Sequence, residues 1–421
     1  MRLKIPKALM LSFFALYFFA AVGPVLAQYS IKGRIIDAES FKPLSFATVF
    51  VSNSSFGEIT DEEGLFEIQI PEGEHNLVIS FMGYEPFSYS LSTRSLRDFY
   101  EFRLLQQPID LEEREVMGRR DATWHKNLQI FERYFLGNSS NGVKSKIQNP
   151  EVLILDAESN NSKLKVTARE ILEIKNPNLG FQIKYVLLGF EYDFSSQQVT
   201  YSGYPYFVEA DIPKRRLKKV TDSREKAYLG SIMHFVRSLY RGNSSEEGFE
   251  VHSTEKALNP NWTAPKSDSS QLSSRIEKAI GQTPILPGYI PQWINLPKQP
   301  IHDPNELIQT TSDGKIFMTY AAPVYVVYQH EAEDPEFHPY SLRNISPLVR
   351  DLGLSGNEEL HDRGKFSQVS LLYMRAKAVQ LFVNGSYFHP YDIFVEGYMA
   401  WEKIGDLLPF EYEPLPKKQR P

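Results

Sequence analysis

From residue 29 to residue 105, apolar and polar positions alternate in short runs. Tyr29, Ile31, Gly33 and Ile35 interleave with Ser30, Lys32 and Arg34. Ala47, Val49 and Val51 interleave with Phe46, Thr48 and Phe50, and Phe66, Ile68 and Ile70 with Glu67 and Gln69. Leu77, Ile79 and Phe81 follow, then Tyr100, Phe102 and Leu104. Successive side chains of a strand face opposite ways, so five or more such runs predict a β-sandwich with one face of each strand buried. The turns between runs are specific. In Thr60-Asp61-Glu62-Glu63-Gly64 the Asp can bond its own backbone and Gly64 supplies positive φ; Pro71-Glu72-Gly73 does the same work one strand later.

Beyond residue 121 the period changes. Leu128, Phe131 and Phe135 recur at helical spacing within Ala122 to Leu136, with Gly137 as a stop. Val152 to Leu155, Leu164 to Ala168, Phe181 to Phe194 and Val199 to Val208 read as strands, and Leu187-Leu188-Gly189 as a bulge or bend in the third. Asp222 to Arg241 reads as one long helix, its apolar stripe formed by Leu229, Ile232, Met233, Val236, Leu239 and Tyr240, with Gly242 ending it. Further strands are expected at Ile316 to Tyr320, Val324 to Tyr328, Val369 to Leu372, Ala378 to Val383 and Tyr391 to Val395, with Asn384-Gly385 as a hairpin turn. A closing helix is expected at Tyr398 to Leu408. The expected organisation is therefore an all-β sandwich at 28–105, a polar linker at 106–121 and an α+β region at 122–258. A flexible excursion at 259–284 precedes a mixed, β-rich region at 285–416 that packs with 122–258.

The first 27 residues carry an address. Arg2, Lys4 and Lys7 precede an apolar run from Ala8 to Val22 broken only by Ser12, and Val25-Leu26-Ala27 ends it with small residues. This is the layout of a cleavable secretory signal, and Gly23-Pro24 interrupts a run already too short to span a bilayer. No cysteine follows the cleavage position, so a lipoprotein anchor is not expected, and no second long apolar run predicts a transmembrane helix. The expected location is the periplasm, or the outer membrane or cell surface in association with it.

The 421 residues are 42% hydrophobic and 23% charged, an ordinary globular balance, and 23 Tyr with 28 Phe favours β structure. The absence of cysteine removes disulfides, thiolate metal sites and a cysteine nucleophile together. A net charge of −6 gives no overall electrostatic case for nucleic acid.

Gly33, Asp37, Pro43-Leu44, Ala47, Val49, Thr60-Asp61, Gly64, Phe66, Pro71, Gly73, Leu77, Ser80 and Gly83-Tyr84 together resemble the carboxypeptidase-like regulatory domain. That resemblance implies a small transthyretin/prealbumin-like sandwich. The domain accompanies metallocarboxypeptidases without being their catalytic part, and it recurs in envelope proteins of Bacteroidota. It implies a packing or interaction module. Among its turn residues are Asp61, Gly64, Pro71, Gly73, Gly83 and Tyr84. His75 departs from the pattern, where an aromatic is usual. The remainder resembles uncharacterised Bacteroidota proteins carrying this module. The matching stretches are Asn149-Pro150-Glu151-Val152-Leu153, Tyr201-x-Gly203-Tyr204-Pro205 and Leu407-Leu408-Pro409-Phe410-Glu411-Tyr412. A longer one contains Arg224, Tyr228, Gly230, Ser231, His234, Phe235 and Arg237. This second resemblance implies a shared architecture and no activity.

Candidate chemistry is sparse. His252-Ser253-Thr254-Glu255 has the H-x-x-E spacing of a zinc carboxypeptidase, with His361 or His389 as a third ligand, but one such match among 9 His is expected by chance. His330, Glu331, Glu333, Asp334, Glu336 and His338 form a denser group, read as a solvated loop after a strand. A nucleophile elbow, phosphate loop and dinucleotide fingerprint are all missing. No cofactor or catalytic residue is assigned, and the protein is expected not to be an enzyme. Lys214, Arg215, Arg216, Lys218 and Lys219 form a basic run ahead of the long helix. Behind a signal peptide such a run suits an envelope protein or an anionic glycan. The expected function is thus an exported, non-catalytic binding role. A metallocarboxypeptidase-type hydrolase and an outer-membrane transport component are the alternatives. About 300 residues follow the sandwich, too few for a 22-stranded barrel.

Overall fold

The computed structural model describes residues 28–107, 121–157, 162–194, 198–258, 293–301, 303–337, 366–387 and 392–416. Residues 1–27, most of 106–121 and all of 259–284 fall outside them.

Seven strands build the N-terminal unit: β1 (Gln28–Asp37), β2 (Thr48–Val51), β3 (Gly57–Ile59), β4 (Leu65–Pro71), β5 (Glu74–Ser80), β6 (Phe87–Ser92) and β7 (Tyr100–Leu104). They form two sheets, ordered β4-β1-β7 and β3-β2-β5-β6. β1 runs antiparallel to β4 and parallel to β7. The alternating residues do what their period requires: Ile31, Ile35, Val49, Val51, Ile68, Ile70, Leu77, Ile79 and Phe102 meet in one buried core between the sheets. Gly33 has a steric reason to be glycine. A Cβ there stands 2.6 Å from the Tyr100 carbonyl oxygen and 2.7 Å from the Phe66 ring.

The body begins with α1 (Ala122–Leu136), capped by the Asp121 side chain. A six-stranded antiparallel sheet follows: β8 (Lys146–Ile147), β9 (Leu153–Ala157), β10 (Lys163–Ala168), β11 (Leu172–Asn176), β12 (Phe181–Asp193) and β13 (Val199–Glu209). β12 is its spine, with β13 along one side and β10 and β11 sharing the other. The register slips between Leu187 and Gly189, which is the bulge read from the sequence.

The single long helix expected at Asp222 to Arg241 is corrected to two. α2 spans Lys214–Tyr228 and α3 spans Ile232–Arg241. Gly230, at φ +76°, turns the chain between them, and the Ser231 hydroxyl accepts the amide of His234 to start α3. The basic run therefore does not precede a helix; it is the first half of α2.

The last strands are β14 (Phe249–Leu258), β15 (Trp293–Ile301), β16 (Ile308–Thr310), β17 (Ile316–Met318), β18 (Val324–Ala332), β19 (Ser367–Met374), β20 (Val379–Leu381) and β21 (Ile393–Gly397). They make a sheet ordered β15-β14-β18-β19-β21 and a small one ordered β16-β17-β20. Asn384-Gly385 does form a tight turn, with Gly385 at φ +85°. The expected closing helix is corrected as well. Only α4 (Tyr398–Trp401) is α-helical, and a 3-10 turn at Ile404–Asp406 follows it. One continuous core joins α1, α3 and both large sheets of the body. The fold is an all-β sandwich followed by an α+β region.

The sandwich rests on the body through its second sheet. Phe50 and Val78 face away from the sandwich core, and Val186, Ile171, Tyr204 and Tyr206 cover them. The turn at 53–55 seals the contact. The Asn53 amide donates to the Pro205 carbonyl at 2.7 Å, the Phe207 amide to Ser54 at 2.9 Å and the Phe410 amide to Asn53 at 2.7 Å.

Candidate functional site

The longest stretch of the second resemblance, Arg224 to Arg237, lies on α2 and α3, and its charged residues act as fasteners. Arg237 is 1% exposed. Its Nε donates to the Asn384 carbonyl at 3.0 Å, Nη1 to Tyr412 at 2.8 Å and Nη2 to Phe410 at 3.0 Å. Its guanidinium lies over the Tyr228 ring. Glu225, fully buried, accepts from the Tyr412 hydroxyl at 2.9 Å and the Leu415 amide at 2.8 Å. Together they strap the segment 409–415 across the helices. Arg224 serves α2 from its other side, bonding the Leu179 carbonyl and both carboxylate oxygens of Glu209. Since the chain turns at Gly230, Arg224 and His234 do not share one helix face. His234 Nδ1 accepts the Gly230 amide at 3.2 Å, which leaves Nε2–H to donate to Glu247 at 3.3 Å. Phe235 packs on Phe249 in the core.

The sandwich turn residues sit in turns. Asp61 accepts the amides of Glu63 and Leu65, and Gly64 follows at φ +74°. Pro71 ends β4, and the Gly73 amide donates to the Thr93 hydroxyl. Gly83 lies at φ +81° beside Tyr84, whose hydroxyl donates to Asp37. Asp37 also accepts from the Ser40 amide and hydroxyl, the Glu39 amide and Gln106. These donors, the Ser40 amide first, hold its carboxyl far below the usual range. His75 lies near the start of β5, half-buried, with Nε2 2.9 Å from the Pro71 carbonyl.

The H-x-x-E match does not assemble. His252 and Glu255 lie on β14, where residues three apart face opposite sides. His252 is buried and pairs with Glu250 at 2.7 Å; Glu255 is exposed and pairs with Lys298. His361 and His389 lie outside the described residues. No group of three or more His, Asp or Glu arranged to hold a metal occurs among the described residues.

The basic run is on the surface. Lys214, Arg215, Lys218 and Lys219 are exposed, and Arg216 is held by the Pro177 carbonyl at 2.7 Å. Lys218 pairs with Asp222. Lys214, Arg215 and Lys219 make no ion pair among the described residues. The helix they open has Pro213 at its cap, no side-chain cap and no acid in its first turn. The helix dipole and the side-chain charges thus add at one end.

Sequence reasoning missed a second feature. A narrow cleft of about 20 Å³, room for about one water, is lined by Ser139, Ser140, Asn141, Lys226, Ala227, Asp334, Tyr398, Trp401, Glu402 and Asp406. Asp406 is buried and accepts from Ser139 Oγ at 2.7 and 2.8 Å and from Asn141 Nδ2 at 3.0 Å. Burial still pushes its carboxyl up to about 6. Burial, then the charges of Asp406 and Glu331, pushes Glu402 well above the ordinary range. Glu331 is raised by burial to about 7 and accepts from Gln368 at 3.2 Å. The group from His330 to Glu336 is therefore not a wholly solvated loop: Asp334 turns inward and meets Lys226 at 3.7 Å. The only signal was Glu402 and Asp406 beside Trp401 in the mostly apolar run from Tyr398 to Leu408; Asp334 stands in an acidic stretch and gave none.

Residues 31–116 match the family model of the CarboxypepD_reg-like domain. No curated protein matches the chain. Among solved structures, the chain is similar to a 9R-lipoxygenase from Cyanothece PCC8801. The identity is 11%, over 52% of this chain and 49% of that one, with a TM-score of 0.15. The chain thus spans about half the length of the lipoxygenase. It is also similar to a protein of unknown function, described as membrane-associated, from Bacteroides fragilis NCTC 9343. There the identity is 10%, over 88% of this chain and 95% of that one, with a TM-score of 0.16. At such scores neither likeness bears on the fold or the function.

Proposed function

We propose that this is an exported, non-catalytic protein of the cell envelope that binds an anionic partner, a glycan or an acidic protein surface, through the start of α2. Its location on the periplasmic or surface side of the envelope rests on the signal layout of the first 27 residues. Its non-catalytic character rests on the regulatory-like sandwich and on the structural occupation of Arg224, His234 and Arg237.

One observation carries the binding surface. Lys214, Arg215 and Lys219 stand exposed and without ion pairs among the described residues, at a helix N-terminus whose own dipole is positive. Arg216 near that end and Arg224 two turns further on anchor α2 to the body through the Pro177 and Leu179 carbonyls, so the charges sit on a fixed scaffold. The test is retention of envelope extract on the immobilised protein, beside a variant with Lys214, Arg215, Arg216, Lys218 and Lys219 all changed to Gln. A single anionic species held by the parent and lost by the variant, with release by added salt, is the expected result. Equal retention by both overturns the assignment of the surface.

A further inference from the structure

Two buried histidines each meet a glutamate: His234 reaches Glu247 at 3.3 Å and His252 reaches Glu250 at 2.7 Å. The other ring nitrogen sets them apart. His234 Nδ1 faces a donor, the Gly230 N–H, so that nitrogen stays bare. His252 Nδ1 faces an acceptor, the Lys298 carbonyl, at 3.2 Å. Both of its nitrogens therefore point at oxygens, and the two bonds exist together only when the ring carries two protons. The hydrogen bond from His252 holds the Glu250 carboxyl below its ordinary range against the effect of burial, and Gln329 on β18 donates to its second oxygen at 2.5 Å.

The place of this ring is as telling as its bonds. β15 is an edge strand, and β14 is its one partner among the described strands. The pair slips register between His252 and Thr254, where the facing residues of β15 are Pro300 and Pro297. Neither proline has an amide hydrogen, so the ladder lacks donors from β15 at the point where the bulge already opens it. The His252 side chain spans that gap and takes hold of the Lys298 carbonyl between the two prolines.

We propose that His252 is a proton-operated clamp on β15: with two ring protons it ties the strand to β14 across the proline gap, and with one it lets the strand loosen there as pH rises. Whichever nitrogen is left bare, its lone pair faces the oxygen of Lys298 or of Glu250, and one attraction becomes a repulsion. The charged and titratable groups around the ring are few among the described residues. Glu250 shares its strand; Lys298 on β15 pairs with Glu255 at 2.7 Å; Tyr325 lies opposite on β18, its hydroxyl pushed further above its ordinary range by burial and then by the charge of Glu396. Imidazole is the side chain whose charge ordinarily changes between about pH 5 and pH 8.

Ring-nitrogen NMR on the full mature chain, from about pH 5 to about pH 9, tests the protonation. His252 is expected to show two protonated nitrogens at the acid end and one at the alkaline end, while His234 keeps one bare nitrogen throughout. Amide exchange tests the clamp. Because Glu331 also titrates, the measure is protection in the parent divided by protection in His252→Gln, which retains Glu331. For the amides of β15 that ratio is expected to fall about threefold or more between the two ends, and for those of β12 to stay constant. A proton count on His252 that is the same at both ends overturns the proposal, as does a constant ratio for β15. Should His252→Gln fail to fold, β15 protection in Glu331→Gln, which keeps His252, takes the place of the ratio with the same two outcomes.

Discussion

Arg237 donates to the carbonyl of Tyr412 at 2.8 Å, joining α3 to a segment 175 residues further along the chain. With Asn384 and Phe410 it places three backbone carbonyls around one guanidinium. Among the described residues no carboxylate is hydrogen-bonded to it; the planar fork of Arg is matched to carbonyl dipoles. Replacing Arg237 by Met removes all three bonds and leaves buried carbonyls without donors. The expected loss is about 3–5 kcal/mol of unfolding free energy, read from urea denaturation. Arg237→Lys keeps a charge but not the fork, and is expected to recover less than half.

Gly230 carries the elbow between α2 and α3. Its φ of +76° is costly for any residue with a Cβ, and a Cβ there collides with Gln368 Oε1 and comes within 2.9 Å of the Tyr328 ring. Gly230→Ala is expected to destabilise by about 2 kcal/mol or more, seen as a lowered thermal midpoint. An unchanged midpoint means that the elbow tolerates a straight helix.

That elbow marks where the sequence stopped being legible. The stripe from Leu229 to Tyr240 is sound helical patterning, and it runs straight through Leu229-Gly230-Ser231. Periodicity reports which side is buried and does not by itself mark a turn between two helices. The stop lay in Gly230 and the cap in Ser231, three residues before the amide it receives. The sandwich was legible because each strand faces one core and alternates cleanly, as Phe66, Ile68 and Ile70 do. β14 was not legible: its run Phe249-Glu250-Val251-His252 is short, and its polar members are paired by Glu250, Gln329 and the Lys298 carbonyl rather than by solvent. The cleft was illegible for a related reason. Asp334 and Glu402 belong to separate segments, and only tertiary packing turns charged residues of that kind inward.

The carboxyls around that cleft make stability depend on pH. Burial, helped by the repulsion of Glu225, raises Glu331 to about 7 against the opposing pull of Lys226 and the Gln368 bond. Its folded form holds a proton that the unfolded chain gives up near pH 4.5. Between those values the folded state binds more protons than the unfolded state, so this contribution is full below about pH 4.5 and is lost as pH rises through about 7. Glu331→Gln removes the dependence. The stability of the variant relative to the parent is expected to improve by about 2 kcal/mol between pH 5 and pH 8. Urea midpoints across that range decide it, and a flat difference refutes the buried assignment of Glu331.

The docking of the sandwich on the body turns on Gly57, Phe50 and Tyr206. The rings of Phe50 and Tyr206 lie 5.2 Å apart, and a Cβ on Gly57 stands 2.8 Å from the Phe50 Cβ and 2.8 Å from the Tyr206 ring. Gly57 has ordinary backbone angles, so Gly57→Ala adds crowding at the contact without adding backbone strain. The sandwich core, built from the other face of β2 and β5, is untouched by it. Amide exchange separates the two effects. The Phe207 and Phe410 amides, which donate to Ser54 and Asn53, are expected to exchange at least tenfold faster, equivalent to about 1.4 kcal/mol of weakened docking. The amide of Ile35, bonded to the Gly64 carbonyl inside the sandwich, is expected to keep its rate. If Ile35 accelerates equally, the sandwich has no stability of its own apart from the body, and docking and folding are one event.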